Sequence, residues 1–262
     1  LGIWLDITLG FALPRSRYAT LGFALPRSRY ATLGFALPRS RYATLGFALS
    51  RSRYAGYSEA RDGFMKLILG ITGATGTVFG IRALQILRDA GVETHLILSK
   101  WGARTLLHET PHTVEYVKSL ASHCYGEADQ GAAVSSGSFV TGGMIVAPCS
   151  VRTLGAIACG IGDNLIHRAA DVVLKERRKL VLMVRETPLS DIHLENMLKL
   201  SRMGVVIMPP VPAFYTNPQN LDDVVNQTVM RALDQFGLHL DAAARWGEAE
   251  TARGTKGTTG RD

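Results

Sequence analysis

From Lys66 onward, short runs of aliphatic and β-branched residues alternate with stretches whose apolar positions recur at helical spacing. A strand covered on both faces reads as a nearly continuous apolar run. The helix that carries the chain back to begin a parallel neighbour reads as an amphipathic stretch. The alternation predicts an α/β fold: a doubly wound, Rossmann-like, mostly parallel sheet in a single domain. Strands are predicted over Leu67 to Ile71, Thr94 to Leu98, Met144 to Ala147, Leu180 to Val184 and Val205 to Met208. Helices are predicted over Val78 to Ala90, Ser150 to Cys159, Leu165 to Arg177, Ile192 to Ser201 and Leu221 to Phe236, with Gly91 and Gly204 as stop signals. Such sheets bind ligands beyond the carboxyl ends of their strands, so the loops after each strand are where chemistry is expected.

Ahead of that pattern lies a different kind of sequence. LGFALPRSRYAT runs from Leu9 to Thr20, recurs from Leu21 and from Leu33, and returns as a variant from Leu45 to Gly56. A solenoid varies its surface positions and caps its ends, whereas three of these copies are identical. Residues 1–64 are read as a repeat arm, the translation of a short DNA repeat upstream of a start at Met65; a basic arm for an acidic surface is the functional alternative. Residues 65–247 are the expected folded domain, and 248–262, rich in Gly, Thr and charge, a disordered tail.

The formal charge of +7 over 262 residues would suggest an anionic polymer as partner. Yet residues 1–64 hold nine Arg against Asp6, Glu59 and Asp62, a net +6, which leaves about +1 for the rest. Nucleic-acid binding by the folded part is therefore not expected. Cys124, Cys149 and Cys159 lack CxxC spacing and are odd in number, which fits reduced thiols in a cytoplasm with neither a disulfide nor a zinc site. Gly, Ser, Arg or Pro interrupts every apolar run short of the roughly 18 residues a membrane span needs, so a soluble protein is expected.

The first strand runs into Thr72-Gly73-Ala74-Thr75-Gly76, followed by Gly80. A glycine-rich turn into a helix offers free amides to a phosphate and lets a flat ring approach the backbone. A nicotinamide dinucleotide would ask for an acidic residue at the end of the second strand, where Ser99-Lys100 stands instead. Further on, Pro148-Cys149-Ser150 ends a strand with Ser150 placed as a helix N-cap; with Thr153 it presents amides and hydroxyls to an anion. Cys149 has no neighbouring base to hold it as thiolate and reads as packing. His193 has no second ligand at i+4 and reads as structural.

TGATG from Thr72, LSK from Leu98, SGSF from Ser136, APCS from Ala147, the long run AADVVLKERRKLVLMVRETP from Ala169, HLENMLKLSRMG from His193, VIMPPVPAFY from Val206 and ARWG from Ala244 resemble the UbiX family of flavin prenyltransferases. The resemblance covers residues 65 to about 247. It implies an enzyme that joins dimethylallyl monophosphate to a ring nitrogen of reduced flavin mononucleotide (FMN) and closes a fourth ring on the neighbouring carbon. The product is the cofactor of UbiD-type decarboxylases. By the same resemblance Gly73, Ala74, Thr75, Ser99, the segment Ser150, Val151, Arg152 and Thr153, and Arg185 hold the flavin. Lys175, Tyr215 and Arg231 meet the prenyl phosphate across a subunit interface, and Glu109, Ser136, Glu186 and Trp246 line the reacting centre. Thr75 departs from the Ser of many members, keeping the hydroxyl and adding a methyl. The family assembles as a homo-oligomer, a dodecamer.

The chemistry is consistent with these residue types. Phosphate leaving an allylic carbon needs positive charge, and the sequence has no aspartate-rich magnesium motif. Lys175, Arg185, Tyr215 and Arg231 offer that charge and hydrogen bonds, which suits a metal-independent reaction of a monophosphate. Taken without the resemblance, Lys175 in KERRK and Arg231 on an amphipathic helix read as solvated basic residues. Glu186, at a strand end, is suited to exchange a proton if partial burial raises its pKa; otherwise it pairs with Arg185. Trp246 either faces an allylic cation or seals a C-terminal segment. Two rival functions remain at this level, a flavin-dependent decarboxylase of the phosphopantothenoylcysteine or peptidyl-cysteine type and a non-catalytic flavin carrier.

Overall fold

A computed structural model describes residues 65–239. The twelve-residue repeat, Trp246 and the C-terminal tail lie outside the described residues. Six strands form one sheet: β1 (Lys66–Ile71), β2 (Glu93–Leu98), β3 (His123–Gly126), β4 (Gly143–Cys149), β5 (Lys179–Val184) and β6 (Val206–Ile207). Their order is β3-β2-β1-β4-β5-β6 and every pairing is parallel, so the expected "mostly parallel" sheet is wholly so. This is the doubly wound order, which reverses between β1 and β4 and opens a crevice at their carboxyl ends.

The helices are α1 (Thr77–Asp89), α2 (Lys100–Glu109), α3 (Val114–Ser119), α4 (Val151–Cys159), α5 (Leu165–Lys175), α6 (Asp191–Arg202) and α7 (Leu221–Leu233). Alternation along each strand divides the core. Leu67, Leu69, Ile71, Ile145 and Val181 face Leu84 and Leu87 of α1, Leu106 of α2 and Val229 of α7, while Ile68, Met144, Val146 and Leu182 face Leu154 of α4, Ile166 and Val173 of α5 and Leu200 of α6. Each fully buried aliphatic side chain is worth about 1.5–3 kcal/mol relative to exposure, so the two faces dominate stability. Close packing on the first face depends on Gly80, where a Cβ would fall 2.4 Å from the Ala147 carbonyl oxygen on β4.

The five predicted strands and five predicted helices are all present, with ends shifted by up to three residues. Gly91 and Gly204 stop α1 and α6 with φ of +71° and +91°. The last helix is shorter than predicted: it ends at Leu233 and tightens into a 3₁₀ turn over Asp234–Phe236. His193 has the structural place expected, closing a capping box with Ser190 at the start of α6. Three elements were not predicted at all: α2, α3 and the edge strand β3. Two of the four β3 residues are His123 and Cys124, and its exposed pattern lacks the apolar run that marks a buried strand.

Candidate active site

The crevice begins with the turn after β1. A Cβ on Gly73 would stand 2.5 Å from the Trp101 Cβ, so only glycine lets the turn lie against α2. Ser99 caps α2, its buried hydroxyl accepting from the Gly102 amide at 2.9 Å. The Thr72 hydroxyl donates to the Pro148 carbonyl at 2.6 Å and accepts from the Ser150 amide at 2.9 Å, tying the β1 turn to the end of β4. As expected, Ser150 is the N-cap of α4, accepting from the Thr153 amide at 3.3 Å and donating to the Thr153 hydroxyl at 3.1 Å. Among the described residues the amides of Val151 and Arg152 have no hydrogen-bond partner, and they are the free donors of that helix end.

Gly73, Ser99, Trp101, Ser150, Arg152 and Thr153 share a hollow of about 220 Å³ with Glu127, Asn164, Ile166 and His167. It brings the turn after β1 and the N-terminus of α4 to the same space. A slightly larger, shallow hollow of about 290 Å³ lies at the opposite, amino end of the sheet, beside Arg88, Glu93 and Ser122. It has no helix N-terminus and none of the sequence-predicted residues.

Glu109, at the end of α2, corrects one expectation. Its carboxylate accepts from the Gly76 amide at 2.9 Å, the Thr77 amide at 3.1 Å and the Thr77 hydroxyl at 3.1 Å, and from the Thr75 hydroxyl. The amides at the start of α1, expected to be open to a phosphate, are therefore occupied by a carboxylate of the chain itself. Partial burial pushes the Glu109 pKa up, but the bonds from Thr75, Gly76 and Thr77 outweigh it and leave the group below its ordinary value. At the end of β4, α4 keeps its first two amides free among the described residues.

A second cluster forms around Ser136. The hydroxyls of Ser136 and Ser138 lie 2.9 Å apart, and a Cβ on Gly137 would meet the Lys175 ammonium at 2.8 Å. Lys175 donates to Glu176 at 2.6 Å, which holds that carboxyl below its ordinary pKa. Arg178 donates to the carbonyls of Phe139 and Gly137 at 2.8 and 2.7 Å, and Arg168 donates to that of Ser135 at 3.1 Å, so two guanidiniums fix the serine loop. Sequence reasoning passed over both arginines; the signal available was basic residues at helix spacing from Lys175, facing a Ser-Gly-Ser loop.

Arg185 is half-buried at the end of β5, its amide donating to the Cys149 carbonyl at 3.0 Å. Glu186, whose proton exchange is conditional on partial burial, is exposed in the single chain, and its carboxylate accepts from the Thr187 amide at 3.1 Å. No ion pair between Glu186 and Arg185 is present among the described residues. Cys149 is packed as expected, and burial raises its thiol pKa far above the ordinary value. Tyr215 lies exposed on a short 3₁₀ turn, Phe214–Thr216, after β6. Arg231, on α7, donates to the buried Asp234 carboxylate at 2.6 Å. Within the chain, then, Gly73, Ser99, Ser150, Arg152 and Thr153, all expected to hold flavin, share one hollow, Lys175 lies against the loop that carries Ser136, and Arg231 is paired separately with Asp234.

Fold and crevice define an α/β flavoprotein, and the family model described as Flavoprotein matches residues 56–233. A probable UbiX-like flavin prenyltransferase of Bacillus subtilis (strain 168) is 56% identical over 192 residues, 73% of this chain and 94% of that protein. The mitochondrial flavin prenyltransferase PAD1 of Saccharomyces cerevisiae is 55% identical over 181 residues, 69% of this chain and 75% of that one. Among solved structures, a dodecameric FMN-dependent UbiX-like decarboxylase of Escherichia coli O157:H7 is 58% identical, covers 70% of this chain and 99% of its own, and superposes with a TM-score of 0.68. AnUbiX (PadA1), in complex with FMN and dimethylallyl pyrophosphate, is 50% identical over 70% of this chain and 98% of its own, with a TM-score of 0.70. The chain belongs to the UbiX-like flavin prenyltransferases.

Proposed function

We propose that this protein is a flavin prenyltransferase that joins the dimethylallyl group of dimethylallyl monophosphate to reduced FMN, giving the prenylated FMN that UbiD-type decarboxylases use. The observation that carries the reading is the pairing of the family's sequence, 56% identical over 94% of the Bacillus relative, with a crevice that suits a phosphate-bearing flat ring. The residues fit FMN on two physical grounds. Gly73 and Ser99 line one side of the hollow, where a ring can lie, and the α4 N-terminus offers the amides of Val151 and Arg152 to a phosphate. Gly73, Ala74, Thr75, Ser99, Ser150 to Thr153 and Arg185 hold the flavin. Reduced FMN supplies the nucleophilic ring nitrogen and the neighbouring aromatic carbon.

Lys175, Tyr215 and Arg231 bind the prenyl phosphate. As the allylic C–O bond breaks, both bonding electrons leave with the phosphate, and two cations and a phenol hydroxyl stabilise that charge where it grows. Lys175 lies against Gly137, and the neighbouring Ser136 adds a hydroxyl to the same anion. Glu186 takes a proton released as the new bonds form, and Trp246 faces the electron-poor allyl group. Because Arg231 is paired apart from Lys175 within one chain, a phosphate site using both is built from two subunits of a homo-oligomer, as the dodecameric relative suggests. Free thiols fit a cytoplasmic setting; among the described residues no helix is long and apolar enough to cross a membrane.

The test is mass spectrometry of the bound flavin after anaerobic incubation with reduced FMN and dimethylallyl monophosphate. A mass gain of one five-carbon unit is the expected result. Unmodified FMN, tightly bound, would leave a flavin carrier.

A further inference from the structure

At the amino edge of the sheet, opposite the crevice, the strand register gathers donor atoms that the proposed reaction does not use. Glu93 and His95 lie two residues apart on β2 and so project from one face; His123 of β3 is the direct register partner of His95 and projects beside it. One Glu93 carboxylate oxygen lies 3.0 Å from His95 Nε2 and 3.5 Å from His123 Nε2. The three donor atoms all fall within 4.8 Å of one another. We propose that Glu93, His95 and His123 form a binding site for one divalent transition-metal ion of the zinc class, stapling the edge strand β3 to β2.

Donor type and spacing both favour this. Imidazole nitrogen with carboxylate oxygen is a zinc-class ligand set, and two donors at about 2.0–2.1 Å from a tetrahedral ion stand about 3.3 Å apart, between the two measured separations. His95 is buried, and its Nδ1 lies 2.9 Å from the Tyr125 hydroxyl. An oxygen partner on the far nitrogen fixes the ring and leaves Nε2 as the ligand. The two imidazoles are stacked at 4.7 Å between centroids, so one ring must turn to aim at a shared ion. His123 can do so, its side chain being 53% exposed. Glu93 and His123 both keep part of their side chains exposed, so water can complete the coordination.

Lys66 competes. Its ammonium lies 3.2 Å from the same Glu93 oxygen, and the ion must displace it. It has a second seat, since the same ammonium is 5.3 Å from the centre of the Phe139 ring. The site therefore predicts opposite responses from two neighbouring substitutions, which a nonspecific surface histidine would not give.

The experiment is calorimetric titration of zinc chloride into the chelator-treated full chain, with a thermal melt with and without zinc, repeated for His123→Gln and Lys66→Met. One saturable ion per chain is expected, with a rise in Tm. His123→Gln should weaken binding by about tenfold or more, and Lys66→Met should tighten it several-fold. Because Cys124 and Cys159 are exposed thiols, cobalt(II) is titrated in parallel, and no sulfur-to-cobalt charge-transfer band should appear. Absence of saturable binding, parental affinity in His123→Gln, weaker binding in Lys66→Met, or a sulfur band each overturns the proposal.

Discussion

Glu109 stands where the sequence invited a phosphate, and its hydrogen bonds make it a fastener between α2 and the start of α1. Its folded pKa lies below the ordinary 4.5, so its contribution to stability is full above that value and is lost as the pH falls through the folded pKa. Glu109→Gln should therefore lower Tm at neutral pH and flatten the loss of stability as the pH falls below 4.5; an unchanged acid limb would show that the fastener carries no stability. Glu186 poses the sharper question, because it is exposed in the single chain and, among the described residues, its carboxylate accepts from the Thr187 amide alone. If it exchanges the proton of bond formation, Glu186→Gln should bind FMN normally and slow single-turnover prenylation by about 10²- to 10⁴-fold. Loosened flavin binding with a normal single-turnover rate would return it to a structural part.

Strands and helices differ in how openly they were written. β1, β4 and β5 are buried along nearly their whole length, so their runs of Leu, Ile, Val and Met announced them. β3 is an edge strand with one neighbour, and α2 carries Trp101 and Leu107 exposed, so neither has the periodicity that burial imposes. The same difference applies to the site. Ser150 was legible because an N-cap is a local signal, whereas the role of Glu109 on Gly76 and Thr77 is a contact across 32 or 33 residues that no spacing rule encodes. The metal cluster was hidden for the same reason, since His95 and His123 are neighbours only once β3 is known to pair with β2. At this scale α4 makes a separable claim. Ser150→Ala should cost about 1 kcal/mol through the lost cap. It should also weaken FMN more than riboflavin, which lacks the phosphate that the α4 amides are proposed to hold. Equal losses for the two flavins, measured by fluorescence quenching, would move the phosphate elsewhere.

For the molecule as a whole, the identical repeats contain no residue assigned to the site, so deleting residues 1–64 should leave flavin binding and turnover unchanged. Insoluble or flavin-free protein after that deletion would make the arm structural. Assembly has the more demanding consequence. Lys175 pairs with Glu176 beside the Ser136 loop, and Arg231 pairs with Asp234 on α7, so one chain presents the two cations in separate settings. On the proposed function, the phosphate is held by Lys175 from one subunit and Arg231 from another. Lys175→Ala and Arg231→Ala oligomers should each bind FMN and each be nearly inactive. When the two variants are unfolded together and reassembled in equal amounts, a site is intact only where the Lys175 comes from an Arg231→Ala chain and the Arg231 from a Lys175→Ala chain. Random assembly makes that about one site in four, so roughly a quarter of parental activity should return. Activity that stays at the level of the separate variants, in mixed oligomers verified by native mass spectrometry, would place both residues in the same subunit's site and remove the reason for the enzyme to assemble in order to react.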